Sequence, residues 1–91
     1  MNHWAIGWVD WNLVLDQTGG PNLANLHLDA AIIVNPEKDE FYKQPMYYAI
    51  KHFSRFIPRG SQRISITDTD TIKSTAFLTP SRDTVVVVYN R

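Results

Sequence analysis

At Pro58-Arg59-Gly60 the hydrophobic period of this chain changes from 3.6 to 2, and that switch limits the folds open to it. Before it, Met46, Ala49, Ile50, Phe53 and Ile57 fall on one helical face, with Lys51, Ser54 and Arg55 on the other. Pro45 stands where a first helical residue has no use for its missing N–H. The spacing predicts a helix over residues 45–57, its aromatic stripe packed as core. After the switch, residues 61–67 alternate, with Ile64 and Ile66 on one face. Residues 68–71 read as a polar turn, residues 72–79 as a second strand and Pro80–Asp83 as a tight connection. Thr84–Tyr89 is the strongest strand and is apolar on both faces, so it expects cover on both sides.

The first half mixes types. Residues 5–15 read as a strand that empties into the Gly-rich loop Asp16–Asn22. Residues 23–30 are ambiguous. Ala31–Val34 and Glu40–Lys43 form the two arms of a hairpin about Asn35–Asp39. The expected fold class is α+β, divided at the switch into residues 1–59 and 60–91.

Composition sets outer limits. A chain of 91 residues is at most one small domain, burying roughly 65% of its unfolded surface. Nine basic and nine acidic residues leave a formal net charge of zero. This provides no electrostatic case for nucleic acid, and neutrality favours self-association. Without cysteine there is neither a disulfide framework nor a thiolate metal site. No window approaches the ~20 apolar residues of a membrane span, so no transmembrane segment is expected. Neither a signal peptide nor an Asn-x-Ser/Thr acceptor is visible.

Chemistry concentrates in Gly7–Leu15. As a strand, this stretch would place Trp8, Asp10 and Asn12 on one face and Val9, Trp11 and Leu13 on the other. Two indoles, a carboxylate and an amide are what a sugar-binding cleft uses; a plain core strand with packed indoles is the competing reading. Other constellations are missing. No serine sits in a Gly-x-Ser-x-Gly elbow, and His3, His27 and His52 are too far apart for a zinc motif. Asp68 and Asp70 lack the further ligands and glycine of a calcium loop. Gly19-Gly20 matches no phosphate-binding loop. No cofactor or metal is expected. Glu37 and Glu40, the only glutamates, both lie in the Pro36 hairpin. Retaining glycoside hydrolysis needs two carboxyl groups roughly 5–5.5 Å apart, and Asp10 alone is half of such a pair.

The strings Gly7-Trp8-x-Asp10-Trp11-Asn12-Leu13, Gly19-Gly20-Pro21-Asn22, Phe41-Tyr42-Lys43-Gln44-Pro45-Met46 and Phe56-Ile57-Pro58-x-Gly60-Ser61-Gln62-Arg63 occur in order. Together with Val85-Val86-Val87-Val88-x-Asn90-Arg91 they resemble the C-terminal part of the glucosylceramidase (acid β-glucosidase) family. The resemblance implies an enzyme with a (β/α)8 barrel and a β-sandwich. This chain would supply the last barrel strand, the closing helix and antiparallel sandwich strands. It implies retaining hydrolysis of glucosylceramide by two glutamates with no counterpart here, so the chain alone would be inactive. It also implies a lysosomal setting, a glycolipid substrate, an activator protein and an anionic lipid surface. Trp11 matches a tryptophan that lines the glucose pocket, and Asp10 supports it. At the loop position where the family carries an asparagine this chain has Leu26, with Asn25 one place earlier. The alternative from another class is a non-catalytic carbohydrate-binding or interaction module using Trp8, Trp11 and the meander.

Overall fold

The computed structural model describes residues 1–91. In chain order the elements are β1 (Val14–Asp16), β2 (Ile32–Asn35), β3 (Glu40–Lys43), α1 (Pro45–Ser54), β4 (Gln62–Ile64), β5 (Ile72–Leu78) and β6 (Thr84–Asn90). They fall into two compact units, Val9–Ile50 and Met1–Trp8 with Lys51–Arg91.

The Val9–Ile50 unit holds a three-stranded sheet in the order β1-β2-β3. β1 runs parallel to β2, pairing Val14 with Ile32 and Asp16 with Val34. A parallel pair needs a long crossover, here made by residues 17–31 without a helix. β2 and β3 form the antiparallel hairpin expected about Asn35–Asp39, Ile33 opposite Tyr42. Asp39 takes the left-handed φ (52°) that closes its turn; aspartate tolerates this region better than most residues. Leu15, Ala30 and Ala31 form the buried apolar centre, and Asn35 is buried beside the turn. The Asn35 carbonyl accepts the Lys38 N–H at 3.3 Å. Gln44 ties β3 back to the strand before it: its N–H donates to the Ala31 carbonyl at 2.9 Å. Its side-chain amide donates to the Ala30 carbonyl at 2.8 Å and to the Asp29 carboxylate.

The strand expected over residues 5–15 is corrected to Val14–Asp16. Only those three residues have a ladder partner. Apolar content does not make a strand where no neighbouring backbone is available. Val9, Trp11 and Leu13 are accordingly exposed, and the alternating faces expected for residues 7–13 do not form.

The other unit holds an antiparallel meander in the order β4-β5-β6. β5 and β6 pair along seven residues, from Ile72 opposite Asn90 to Leu78 opposite Thr84. β4 is shorter than the alternation suggested, pairing only Gln62–Ile64 with Ala76–Leu78. Two turns close the meander. In one, Asp68 accepts the Ser74 N–H at 2.7 Å and its hydroxyl at 2.9 Å. In the other, Asp83 N–H reaches the Thr79 hydroxyl at 3.0 Å. Thr75, Ala76 and Phe77 on β5 and Thr79 just after it are buried, and the Phe77 ring meets Phe53 of α1 edge to face at 6.4 Å.

Three further expectations are corrected here. α1 ends at Ser54 rather than Ile57, although Arg55 and Ile57 still donate to the Lys51 and Phe53 carbonyls. It contributes no fully buried residue, so its aromatic stripe is partly covered rather than core. β6 is covered on one side only. Val85 and Val87, paired with Phe77 and Thr75, are half-buried. Val86 and Val88 on the opposite face are 47% and 58% exposed.

Candidate functional site

The candidate site of the Val9–Ile50 unit comprises residues 10–12 and the loop that follows β1. Asp10 and Trp11 are joined locally: the Trp11 N–H donates to Asp10 Oδ1 at 2.9 Å. This bond spends one carboxylate oxygen on the backbone and orients the segment. The Trp11 indole is 83% exposed, so its face and its N–H are open to a ligand. Asn12 differs: its Oδ1 is shielded from solvent and accepts no hydrogen bond. Trp8 belongs to the other unit and is likewise exposed.

The loop is built around two side chains. Asp16 Oδ1 accepts the Thr18 N–H at 2.9 Å, the Thr18 hydroxyl at 2.7 Å and the Gly20 N–H at 2.9 Å. Its backbone closes the same turn, with Asp16 N–H donating to the Gly20 carbonyl at 2.7 Å. Donation by the Gly20 N–H, then by the Thr18 side chain and backbone, holds the Asp16 carboxyl below the usual carboxylate range. Asn22 is the second hub. Its amide NH2 donates to the Gly19 and Leu26 carbonyls at 2.8 and 2.7 Å. Its Oδ1 accepts the Ala24 and Leu26 N–H groups at 3.1 and 2.9 Å. His27 Nδ1 lies 2.8 Å from the Thr18 carbonyl, which can only accept, so Nδ1 carries the proton.

Gly19 has φ +84°, and a Cβ there would lie 2.4 Å from the Leu28 nitrogen. Glycine is therefore required both by conformation and by space. The loop encloses an open concavity of about 590 Å³, lined by Thr18, Asn22, Asn25, Leu26 and His27 among others. Asn25 reaches it from a left-handed φ of 51°. The Asn22 amide is spent on the loop itself, so the Asn25 amide and the His27 imidazole are the groups in this lining that can exchange hydrogen bonds with a polyhydroxylated ligand.

The sequence placed this loop but missed Asp16 and Asn22 as its organisers. The signal was available. An aspartate two residues before a threonine and four before a glycine favours a turn in which the side chain caps backbone N–H groups. No three histidine, aspartate or glutamate side chains converge on a metal-sized centre. Glu40, on β3, accepts the Tyr42 hydroxyl at 2.6 Å, and that bond pushes the Tyr42 phenol up.

Comparison with known proteins agrees with this architecture. Residues 1–57 match the glycosyl hydrolase family 30 TIM-barrel domain, and residues 60–91 match the family 30 beta sandwich domain. The chain is 49% identical to mouse lysosomal acid glucosylceramidase over 87 residues, which is 93% of this chain and 17% of that protein. The crystal structure of SrfJ from Salmonella typhimurium superposes with a TM-score of 0.82 at 32% identity. That match covers 90% of this chain and 19% of SrfJ. The chain thus spans less than a fifth of the length of either protein. It carries the end of a (β/α)8 barrel, with its last strand and helix, followed by antiparallel strands of a β-sandwich, and it belongs to glycosyl hydrolase family 30.

Proposed function

We propose that this chain forms the closing, non-catalytic portion of a glucosylceramidase-like retaining β-glucosidase that hydrolyses glucosylceramide to glucose and ceramide. One observation carries the reading. Matches to the family's two domains run almost end to end, yet the chain's two glutamates, Glu37 and Glu40, belong to the β2–β3 hairpin region. A retaining mechanism needs an acid/base and a nucleophile facing each other across the glycosidic bond. In this reading both stand outside these 91 residues.

Residues 1–59 then act as the end of the barrel and residues 60–91 as part of the sandwich. Trp11 contacts the sugar, its indole N–H donating to a hydroxyl and its face covering the ring. Asp10 holds that tryptophan's backbone through the 2.9 Å bond. Active sites of such barrels sit at the C-terminal ends of the strands, the end from which the Asp16–Asn22 loop leaves β1. The relative's name, lysosomal acid glucosylceramidase, supports a lysosomal setting and a glycolipid substrate; the anionic lipid surface rests on the family resemblance alone. An activator protein likewise rests on the family resemblance alone. No helix is long and apolar enough to cross a membrane.

The test is to incubate the isolated chain with a fluorogenic β-glucoside at acid pH. No turnover is expected, and robust turnover by the chain alone would overturn the reading. The exposed indoles of Trp8 and Trp11 favour a second reading, a free-standing carbohydrate-binding module. That module would bind glucosides saturably and melt as a cooperative monomer; the partial-site reading expects neither.

A further inference from the structure

Within residues 16–28, His27 has two ring nitrogens with separate surroundings. Nδ1 lies 2.8 Å from the Thr18 carbonyl, nine residues back, and so clasps one limb of the loop to the other. The backbone that carries the ring is held on both sides. Asn22 binds the N–H and the carbonyl of Leu26. Gly19 lies so close to the next peptide that a Cβ on it would stand 3.0 Å from the His27 carbonyl carbon. The clasp is thus built wholly from residues of the loop itself. With the backbone fixed and Nδ1 tethered, the direction of Nε2 is fixed too. His27 is exposed and lines the concavity.

A carbonyl oxygen can only accept. Nδ1 therefore donates to Thr18 in the neutral ring and in the imidazolium alike, and the added charge strengthens that bond. The whole change on protonation falls on Nε2, which turns from acceptor to donor. No other residue lining the concavity is titratable, and residues 16–31 contain no lysine or arginine. The two carboxylates of this stretch are committed. Asp16 Oδ1 holds Thr18 and Gly20, and Asp29 Oδ1 takes the Ala30 N–H at 2.9 Å and the Gln44 side chain. The Gly20 N–H and Thr18 keep Asp16 below the usual carboxylate range, so mild acid leaves the rest of the loop in place.

Taking this loop as part of the glucoside cleft proposed above, we propose that His27 is a specificity-determining residue whose Nδ1 holds the loop and whose Nε2 meets a ligand oxygen. A sugar hydroxyl both donates and accepts, so it can pair with Nε2 in either state of the ring. A ring or glycosidic oxygen only accepts, so it pairs with the imidazolium alone. Acid therefore widens what His27 can hold, from hydroxyls to ether-type oxygens, without loosening the loop. The Asn25 amide beside it has no such dependence, since a carboxamide offers a donor and an acceptor throughout.

Long-range proton–nitrogen spectra of the full 91-residue chain, labelled in its histidine rings, report both nitrogens from neutral to acid pH. His27 should be the Nδ1–H tautomer at neutral pH and gain its second proton at Nε2 in acid. His27→Asn deletes one set of ring signals, which assigns it, while its amide NH2 can still reach the Thr18 carbonyl. Leu26 amide exchange should be parent-like in that variant and about fivefold faster in His27→Ala, the effect of one lost hydrogen bond. Methyl β-glucoside at high concentration should move the Nε2 signal at both pH values, growing linearly rather than saturating. Tetrahydropyran, the sugar ring without its hydroxyls, should move it in acid only. An Nε2–H tautomer at neutral pH, equal Leu26 exchange in all three chains, or an Nε2 signal that ignores both probes would each overturn the proposal. So would tetrahydropyran acting equally at both pH values. Turnover by the chain alone would instead overturn the partial-site reading and leave the tautomer result standing.

Discussion

Residues 16–28 keep their shape with little apolar cover: Leu23 and Leu26 are exposed, and two side chains, Asp16 and Asn22, supply seven hydrogen bonds between them. In the β4–β6 meander the side chains do the opposite. The backbone ladder supplies the hydrogen bonds, and the apolar contacts gather on one buried strand, β5. A polar loop of the first kind keeps its surface free for a ligand. A sheet of the second kind depends on how completely its faces and edges are covered.

Removing one large side chain from each region gives the widest separation. Phe77→Ala takes away a ring that is 5% exposed and meets Phe53 edge to face. Its expected cost is about 3–4 kcal/mol, combining lost transfer energy with a cavity. Leu26→Ala, at a residue 55% exposed, should cost under about 0.5 kcal/mol. Urea titration of both variants beside the parent measures the contrast; equal shifts in midpoint would remove it.

Acid is the next lever, and it acts on the loop. The Asp16 carboxyl is held below its ordinary value, chiefly by the Gly20 N–H. Its contribution is therefore fully present above the ordinary carboxylate pKa and is lost as pH falls through the depressed folded value. Amide exchange at Thr18 and Gly20, corrected for intrinsic rate, should accelerate over that range. In Asp16→Asn the same amides should exchange faster at neutral pH and lose the acid dependence. An unchanged pH profile in that variant would show that another group holds the loop. Asp68 is lowered in the same way, chiefly by the Ser74 N–H, but it caps one end of β5 while seven paired residues hold the rest.

Features governed by near neighbours could be read from the chain. Pro45 begins α1, the Asn35–Asp39 turn joins β2 to β3, and Pro80–Asp83 joins β5 to β6. In each case the determining residues lie within a few positions of the feature. Features that need a distant partner could not be read as well. Val9, Trp11 and Leu13 have strand propensity, but propensity does not specify what backbone pairs with them, and here only the Leu13 carbonyl finds a partner, the Ile32 N–H at 3.0 Å. Val86 and Val88 announce a demand for cover without showing whether this chain meets it. The site divides in the same way. Asp10 and Trp11 stood out as unusual residues in an aromatic string. Asp16 and Asn22 are ordinary turn formers whose importance appears only in the number of backbone groups each one satisfies.

The smallest expected effect on stability is the one that best separates the two regions. Trp11 is the same class of residue as Phe77, large and aromatic, but it is 83% exposed and donates to Asp10 through its backbone N–H rather than its indole. Trp11→Ala should therefore change the unfolding free energy by no more than about 0.5 kcal/mol. The Asp10–Trp11 bond survives in that variant, since alanine retains the N–H. A loss of 2 kcal/mol or more would mean that the indole is structural, and would remove the reason for treating it as available to a sugar. A stability unchanged within error leaves a large apolar ring standing in water. With Val9 and Leu13 exposed beside it in sequence, that ring belongs to a run of apolar surface, and it is such a run, rather than one ring, that marks a face another group covers.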